Sequence, residues 1–165
     1  MSERIECDIC GEGHYQRRVL DRYDASPLVG VEGVTLMGAP ALVCSSCNAV
    51  MLEGGALDEA LEALTLVLVE TDGALRPKET KFLRNALDMT QEELAERLGV
   101  HRTTVTRWEI GEVPMGKAES MALRALAAMR LLSDKPKLAK ELASRFAKPG
   151  LVRASPSYEI KLGAA

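Results

Sequence analysis

Four cysteines, arranged as two pairs with the same internal spacing, are the residues of this sequence best suited to bind a metal. Each pair is a C-x-x-C, and 33 residues lie between the pairs. A C-x-x-C turn points both thiolates at one ion, and two such turns supply the four sulfur ligands that zinc prefers. Since four protein ligands leave no open position for water, we predict one structural, noncatalytic zinc ion per chain. The predicted ligands are Cys7, Cys10, Cys44 and Cys47.

Other uses of paired cysteines remain open at this point. Two disulfides would suit a secreted protein, but the residues near the N-terminus are charged and include no apolar export signal. A thioredoxin-like redox site would need one C-x-x-C at the start of a helix, and the second pair would then be surplus. His14 could replace one cysteine ligand, although an ordinary surface histidine is the simpler interpretation.

The segments around the cysteine pairs contain the elements that would hold them. Tyr15–Tyr23 is expected to form a strand, and Val34–Val43 a second extended stretch. The segment Ala56–Val69 carries leucines at helical spacing, which predicts a helix that closes the metal-binding domain. We therefore expect a zinc domain over residues 1–72, followed by a linker over residues 73–77.

A second constellation, from Thr90 to Gly111, has the pattern of two short helices joined by a tight turn. Thr90 and Glu93 have the spacing of a capping box at the start of the first of these helices. Gly99 suits the left-handed backbone that ends it. An earlier helix is expected over Lys78–Leu87. Three helices in this order favour a helix-turn-helix.

The last of these helices carries side chains that can read DNA bases. Val105 and Trp108 share one side and are expected to pack inward. Arginine can form two hydrogen bonds to guanine, and threonine can offer its hydroxyl or contact the thymine methyl. The alternative is a plain helical hairpin with a charged, solvated face. The predicted base-reading residues are Arg102, Thr103, Thr106 and Arg107.

The string TQEELAERLGVHRTTVTRWEIGEVP resembles the helix-turn-helix of phage-repressor-like (XRE-type) regulators. The resemblance implies that Gln91 contacts a DNA phosphate at the start of the second helix. It also implies a structural salt bridge between Arg84 and Glu109, so that Glu109 anchors the fold instead of reading bases. We expect this domain to span residues 78–148.

The cysteine pairs followed by this motif resemble the MqsA family of type II antitoxins, whose N-terminal part is a YgiT-type zinc finger. The resemblance covers roughly residues 6–145 and implies a zinc domain that binds a ribonuclease toxin. It also implies a C-terminal domain that dimerises and represses its own operon. The family's base-reading asparagine and arginine align with Thr103 and Arg107. Asp8, where the family often has proline, and Thr103 depart from the pattern, so the operator sequence does not follow from the resemblance.

Charge is distributed unevenly along a chain whose formal net charge is −3. Residues 1–75 contain 4 basic and 13 acidic side chains, residues 76–114 contain 7 of each, and residues 115–165 contain 10 basic and 4 acidic. Because an acidic surface repels nucleic acid, phosphate contacts are expected in the later half. An acidic first half would suit a basic protein partner such as a ribonuclease toxin.

Together these features predict an α+β protein, with a small zinc-ribbon-like domain followed by an all-α helix-turn-helix domain of about five helices and a mobile tail over 149–165. Lys117–Leu132 is apolar nearly all round and is expected to serve both the core and a dimer contact, with Arg124 and Arg130 at its edges. Lys135–Lys148 is expected to form a basic closing helix.

The predicted function is that of a cytoplasmic, homodimeric repressor, with no enzymatic activity and no membrane contact, that binds an inverted-repeat operator in double-stranded DNA. An antitoxin with a basic ribonuclease toxin as partner is the first hypothesis. A stand-alone zinc- or redox-responsive regulator is the second, and a thiol oxidoreductase fused to a DNA-binding module is the third.

Overall fold

The computed structural model describes residues 5–134 and 157–162. Its strands are β1 (Tyr15–Asp24), β2 (Val34–Cys44), β3 (Val50–Leu52) and β4 (Tyr158–Lys161). Its helices are α1 (Ser26–Val29), α2 (Ala56–Glu70), α3 (Pro77–Ala86), α4 (Gln91–Leu98), α5 (Arg102–Ile110) and α6 (Lys117–Asp134). The strand-rich first part and the helical second part confirm the predicted α+β class. The predicted closing helix over residues 135–148 lies outside the described residues.

The sheet is organised around β2. β1 pairs with it antiparallel along one side, with Tyr15 opposite Cys44 at one end and Asp24 opposite Thr35 at the other. β3 and β4 share the other side of β2: β3 is antiparallel and pairs with residues 41–43, whereas β4 is parallel and pairs with residues 34–37. The long β1–β2 hairpin therefore forms the base on which the cysteine pairs are placed.

The predicted mobile tail is wrong for the part of it that the structure describes, because Tyr158–Lys161 form β4. Tyr158 and Ile160 are buried, whereas Glu159 and Lys161 are exposed. Strict alternation of this kind is what a strand with one face on a core requires. A four-residue pattern is a weak signal by itself, and its partner β2 lies more than a hundred residues earlier in the chain. The other residues of 149–165 lie outside the described part.

One hydrophobic core extends from the sheet into the helices. α2 packs against the sheet and against α3 and α6, with Ala60, Leu64 and Leu68 fully buried. The same core continues through Leu83 of α3 and Leu123 of α6. The predicted division into two domains with a linker at 73–77 stays a prediction.

A buried arginine on α6 fixes the end of α2. Arg124 was expected at the edge of its helix, but it is only 5% exposed. Its Nε donates to the carbonyl of Leu68 at 2.9 Å, and its Nη1 donates to the carbonyl of Gly73 at 2.7 Å. Carbonyls at a helix C-terminus have no partner within the helix, so a guanidinium is a suitable cap for them. Periodicity alone did not reveal this role.

Candidate metal centre and nucleic-acid interface

The two cysteine pairs form turns with the same backbone geometry. In the first turn the N–H of Gly11 donates to the carbonyl of Cys7 at 2.9 Å, and in the second the N–H of Asn48 donates to the carbonyl of Cys44 at 3.2 Å. Gly11 and Asn48 both have a positive φ, at 68° and 57°. The first turn precedes β1 and the second follows β2, so the β1–β2 register brings the two turns face to face.

The four sulfur atoms lie at the spacing of a tetrahedral metal site. The Sγ atoms of Cys7 and Cys47 are 3.7 Å apart, as are those of Cys10 and Cys44, and all four lie within 4.8 Å of one another. Four sulfurs bound to zinc at about 2.3 Å would be separated by about 3.8 Å. Disulfides have a sulfur separation of about 2.0 Å, and all four thiols are free. The cluster is therefore compatible with a structural metal ion.

Backbone hydrogen bonds prepare part of this cluster for a cation. Burial raises the pKa of the Cys7 thiol, but the backbone N–H groups of Cys10 and Ile9 outweigh it and lower the pKa to about 6. The pKa of Cys10 is also lowered, chiefly by the backbone N–H of Glu12. At Cys47 the backbone N–H of Ala49 acts in the same direction, but desolvation and the neighbouring thiols raise the pKa to about 12. The lowered pKa values of Cys7 and Cys10 favour the thiolate form that binds a metal ion.

Residues around the sulfurs have little freedom to change. A Cβ added at Gly13 would lie 2.5 Å from Cys44 Sγ and 2.8 Å from the Cβ of Ser46, so only glycine fits there. Tyr15 donates its hydroxyl to Asp8 at 2.7 Å, and this bond raises the pKa of the tyrosine. Asp8, which departs from the family pattern, thus braces the first turn.

The predicted histidine alternative does not apply to the sulfur cluster. The ring nitrogens of His14 lie 3.3 Å from the hydroxyl of Ser45 and 3.4 Å from the side-chain amide of Gln16. The metal-compatible group found among the described residues consists of the four cysteines.

The predicted capping box is present at the start of α4. Glu93 donates its backbone N–H to Thr90 Oγ1 at 3.2 Å, and Thr90 donates its own N–H to Glu93 Oε2 at 2.7 Å. These bonds from Thr90 lower the pKa of the Glu93 carboxyl. Gly99, with φ at 66°, ends α4 in the left-handed conformation. The chain therefore leaves α4 at Gly99 and enters α5 at Arg102 after a short turn.

A bidentate ion pair joins α3 to α5. Arg84 donates from Nε to Glu109 Oε1 at 2.6 Å and from Nη2 to Oε2 at 3.2 Å. Its Nη1 also donates to the carbonyl of Met89 at 2.6 Å. The side chains of Arg84 and Glu109 are 11% and 4% exposed, so the pair lies within the domain as the resemblance implied.

Gln91, the predicted phosphate ligand, is the first residue of α4, and its side chain is held by two residues of α5. Its Nε2 donates to Glu109 Oε2 at 2.8 Å, and its Oε1 accepts from the hydroxyl of Thr106 at 3.0 Å. Among the described residues, Glu109 accepts one of the two hydrogens of this amide, and a phosphate contact by the other stays a prediction. What the geometry adds is a positioning function within the protein.

The predicted base-reading side chains lie on the outer side of α5. Arg102, Thr103 and Arg107 are exposed, and Thr106 is half-buried. Each arginine has a loose, exposed ion pair: Arg102 with Glu92 at 3.9 Å, and Arg107 with Glu112 at 3.5 Å. On the opposite side of α5, the two predicted inward-facing residues are buried, Val105 at 0% and Trp108 at 5% exposure.

Sequence reasoning missed the role of His101 at the start of α5. Its Nδ1 accepts from the backbone N–H of Thr103 at 3.3 Å and lies 2.9 Å from the hydroxyl of Thr103. Histidine is an unusual N-cap, since serine, threonine, asparagine and aspartate are preferred. Its place directly before a polar helix was the only available signal.

Residues 81–117 match the helix-turn-helix family. This chain carries an XRE-type helix-turn-helix. The match includes α4, α5 and most of α3, and such domains belong to DNA-binding transcription regulators. It does not extend to the cysteine pairs, so the resemblance to an antitoxin family stays a prediction. The chain matches no curated protein.

Beside the helix-turn-helix, α6 presents an apolar stripe to solvent. Met121 and Met129 are 66% and 57% exposed, and the alanines Ala118, Ala122 and Ala125 lie between or beside them at helical spacing. None of the helices in the described ranges is long and apolar enough to cross a bilayer.

Proposed function

We propose that this chain is a sequence-specific transcriptional repressor that binds an inverted-repeat operator in double-stranded DNA. The observation that carries the proposal is that the side chains of α5 lie in two different environments. Glu109, the acidic side chain on this helix, is locked to Arg84, whereas Arg102, Thr103 and Arg107 project outward. Exposed arginine and threonine on a short, rigidly placed helix are suited to reading base edges in a major groove.

The repressor acts as a homodimer in this proposal. One helix-turn-helix contacts half an operator, and a two-fold axis places two recognition helices about 34 Å apart on the same side of the duplex. The apolar stripe on α6 supports a protein contact, because exposed apolar side chains that are grouped on one helix face, methionines among them, are typical of surfaces that bind another protein.

The metal in the four-sulfur cluster is proposed to be zinc and to be structural. Its ligands would be Cys7, Cys10, Cys44 and Cys47. The sulfur spacing supports a four-coordinate ion, and closed four-thiolate shells are typical of structural zinc sites. We assign no catalytic role to the site and propose that the protein acts in the cytoplasm.

The antitoxin hypothesis is the finer part of the proposal. It is supported by the order of the cysteine turns and the helix-turn-helix, and by the excess of acidic side chains in residues 1–75. Such a surface suits a basic ribonuclease toxin, although acidic surfaces also serve solubility. The alternative is a stand-alone regulator that responds to zinc or to oxidation, which the 3.7 Å spacing of free thiols would also permit.

Two measurements test the parts separately. Binding of the full chain to a randomised duplex library should enrich an inverted repeat, and Arg107→Ala should weaken the enrichment and relax it at the base pair that Arg107 contacts. Co-expression with the product of an adjacent, short basic reading frame should yield a stoichiometric complex that Arg107→Ala leaves intact. DNA selection without such a complex favours the stand-alone regulator. Failure to enrich any sequence contradicts the repressor itself.

A further inference from the structure

The hydroxyl of Thr106 donates its hydrogen to an acceptor within the protein. Arg84 can only donate and Glu109 can only accept, so the amide nitrogen of Gln91 must face Glu109. This orientation turns the carbonyl oxygen of Gln91 toward Thr106, which must therefore donate to it. The second neighbour of this hydroxyl, the carbonyl of Arg102 at 3.3 Å, is likewise an acceptor.

The hydroxyl of Thr103 is committed in the same way by a different residue. A backbone N–H can only donate, so the 3.3 Å contact with the N–H of Thr103 makes His101 Nδ1 an acceptor. The threonine hydroxyl, 2.9 Å from the same nitrogen, must then donate to it. In the neutral ring the proton sits on Nε2.

We propose that His101 and Gln91 set the base preference of the recognition helix by orienting the hydroxyls of Thr103 and Thr106 as acceptors. With their hydrogens held inside the protein, both hydroxyls present only lone pairs to DNA. Adenine N6 and cytosine N4 are the base amino groups that donate in the major groove, whereas guanine and thymine present acceptors there. Each threonine therefore selects adenine or cytosine on the strand it contacts.

The arginines complete the pattern. Arg102 and Arg107 have donors only and suit guanine O6 and N7, so their preference is opposite to that of the threonines. Thr103 and Thr106 lie three residues apart, about 4.5 Å along the helix axis, which is comparable to the step between base pairs. A threonine hydroxyl that is free to rotate could either donate or accept, and could therefore contact any of the four bases. Fixing the direction of its hydrogen removes that freedom.

This inference rests on the proposed repressor function, and its test begins with the site that the full-length protein enriches from a randomised duplex library. In that site, each adenine is replaced by purine and each cytosine by its analogue without N4, one position at a time. Loss of a contacted amino group should weaken binding roughly three- to tenfold. Thr106→Val should remove the sensitivity at one position, and Thr103→Val at another.

The two positioning residues have their own readout, which is base discrimination at one position and not overall affinity. Gln91→Ala should reduce the preference at the position coupled to Thr106. His101→Ala should reduce it at the position coupled to Thr103, and His101→Asn should restore it because asparagine also accepts at an N-cap. A variant that merely loosened the fold would weaken binding to all sequences equally.

If the position whose base preference changes in Thr103→Val or Thr106→Val selects guanine or thymine, the inference is overturned, because only a donating hydroxyl contacts the oxygens of those bases. The inference is also overturned if neither threonine substitution removes the sensitivity to loss of an amino group at any adenine or cytosine of the site. Both results leave the repressor proposal standing, since the library has already enriched a site. If no site is enriched, the repressor proposal fails first, and the two failures are thereby distinguished.

Discussion

The hydroxyl of Tyr158 in β4 donates to Glu79 Oε1 in α3. Glu79 is 1% exposed, and its other oxygen accepts from the backbone N–H of Arg76 at 3.0 Å. Since β4 is also paired with β2, one buried carboxylate connects the sheet that bears the cysteines to the first helix of the helix-turn-helix. The two halves of the chain are therefore coupled by a polar contact as well as by the shared core.

Removing this hydroxyl should destabilise the whole molecule. Tyr158→Phe takes one donor from a buried carboxylate, and we expect the free energy of unfolding to fall by about 1–3 kcal/mol. Urea denaturation followed by tryptophan fluorescence at Trp108 would report the change from the helix-turn-helix side. Arg22→Gln is the matched control. It breaks the exposed ion pair between Arg22 in β1 and Glu159, which lies next to Tyr158 in β4, and should change stability by less than about 1 kcal/mol. Equal effects of the two variants would contradict the coupling.

The metal centre can be tested without changing a ligand. Gly13→Ala should abolish stoichiometric metal binding, because the new methyl would overlap Cys44 Sγ and force the two cysteine turns apart. Gly30→Ala is the control: it has open space around the new methyl and carries only the cost of a positive φ, about 1–2 kcal/mol. Metal content of the purified proteins, measured by elemental analysis, should fall for Gly13→Ala alone. Retention of metal by Gly13→Ala would show that the sulfur cluster tolerates a wider separation.

The features that the sequence predicted well are those determined by nearby residues. The spacing of the cysteine pairs and the capping box at Thr90 each involve a few consecutive positions, and the structure contains both. β4 and the buried Arg124 depend on partners at least fifty residues away, so the short alternation in β4 and the periodicity of α6 were too little to indicate them. His101 stands directly before α5, where an N-cap is expected, but histidine is not one of the residue types usually found there.

The ion pair inside the helix-turn-helix should matter far more than the pairs on its surface. Arg84→Met leaves the largely buried Glu109 carboxylate without its bidentate partner, and we expect a loss of about 3–5 kcal/mol. Glu92→Gln breaks only the exposed 3.9 Å contact with Arg102 and should change stability by less than about 1 kcal/mol. Thermal unfolding monitored by circular dichroism would measure both. A small effect of Arg84→Met would mean that the hydrogen bond that Gln91 already donates to Glu109 is enough to hold the carboxylate.

Specific DNA binding should respond in opposite directions to changes at Arg107 and at its acidic neighbour. Arg107→Ala should cost about 1–3 kcal/mol of specific binding, because a bidentate base contact is lost while the buried side of α5 is untouched. Glu112→Gln should strengthen binding, since the Glu112 carboxylate holds Arg107 at 3.5 Å and repels phosphates. Fluorescence anisotropy with a labelled operator duplex at fixed salt would measure both affinities. If Glu112→Gln weakened binding, the carboxylate would be positioning Arg107 for the base, and the ion pair would belong to the DNA-bound state as well as to the free protein.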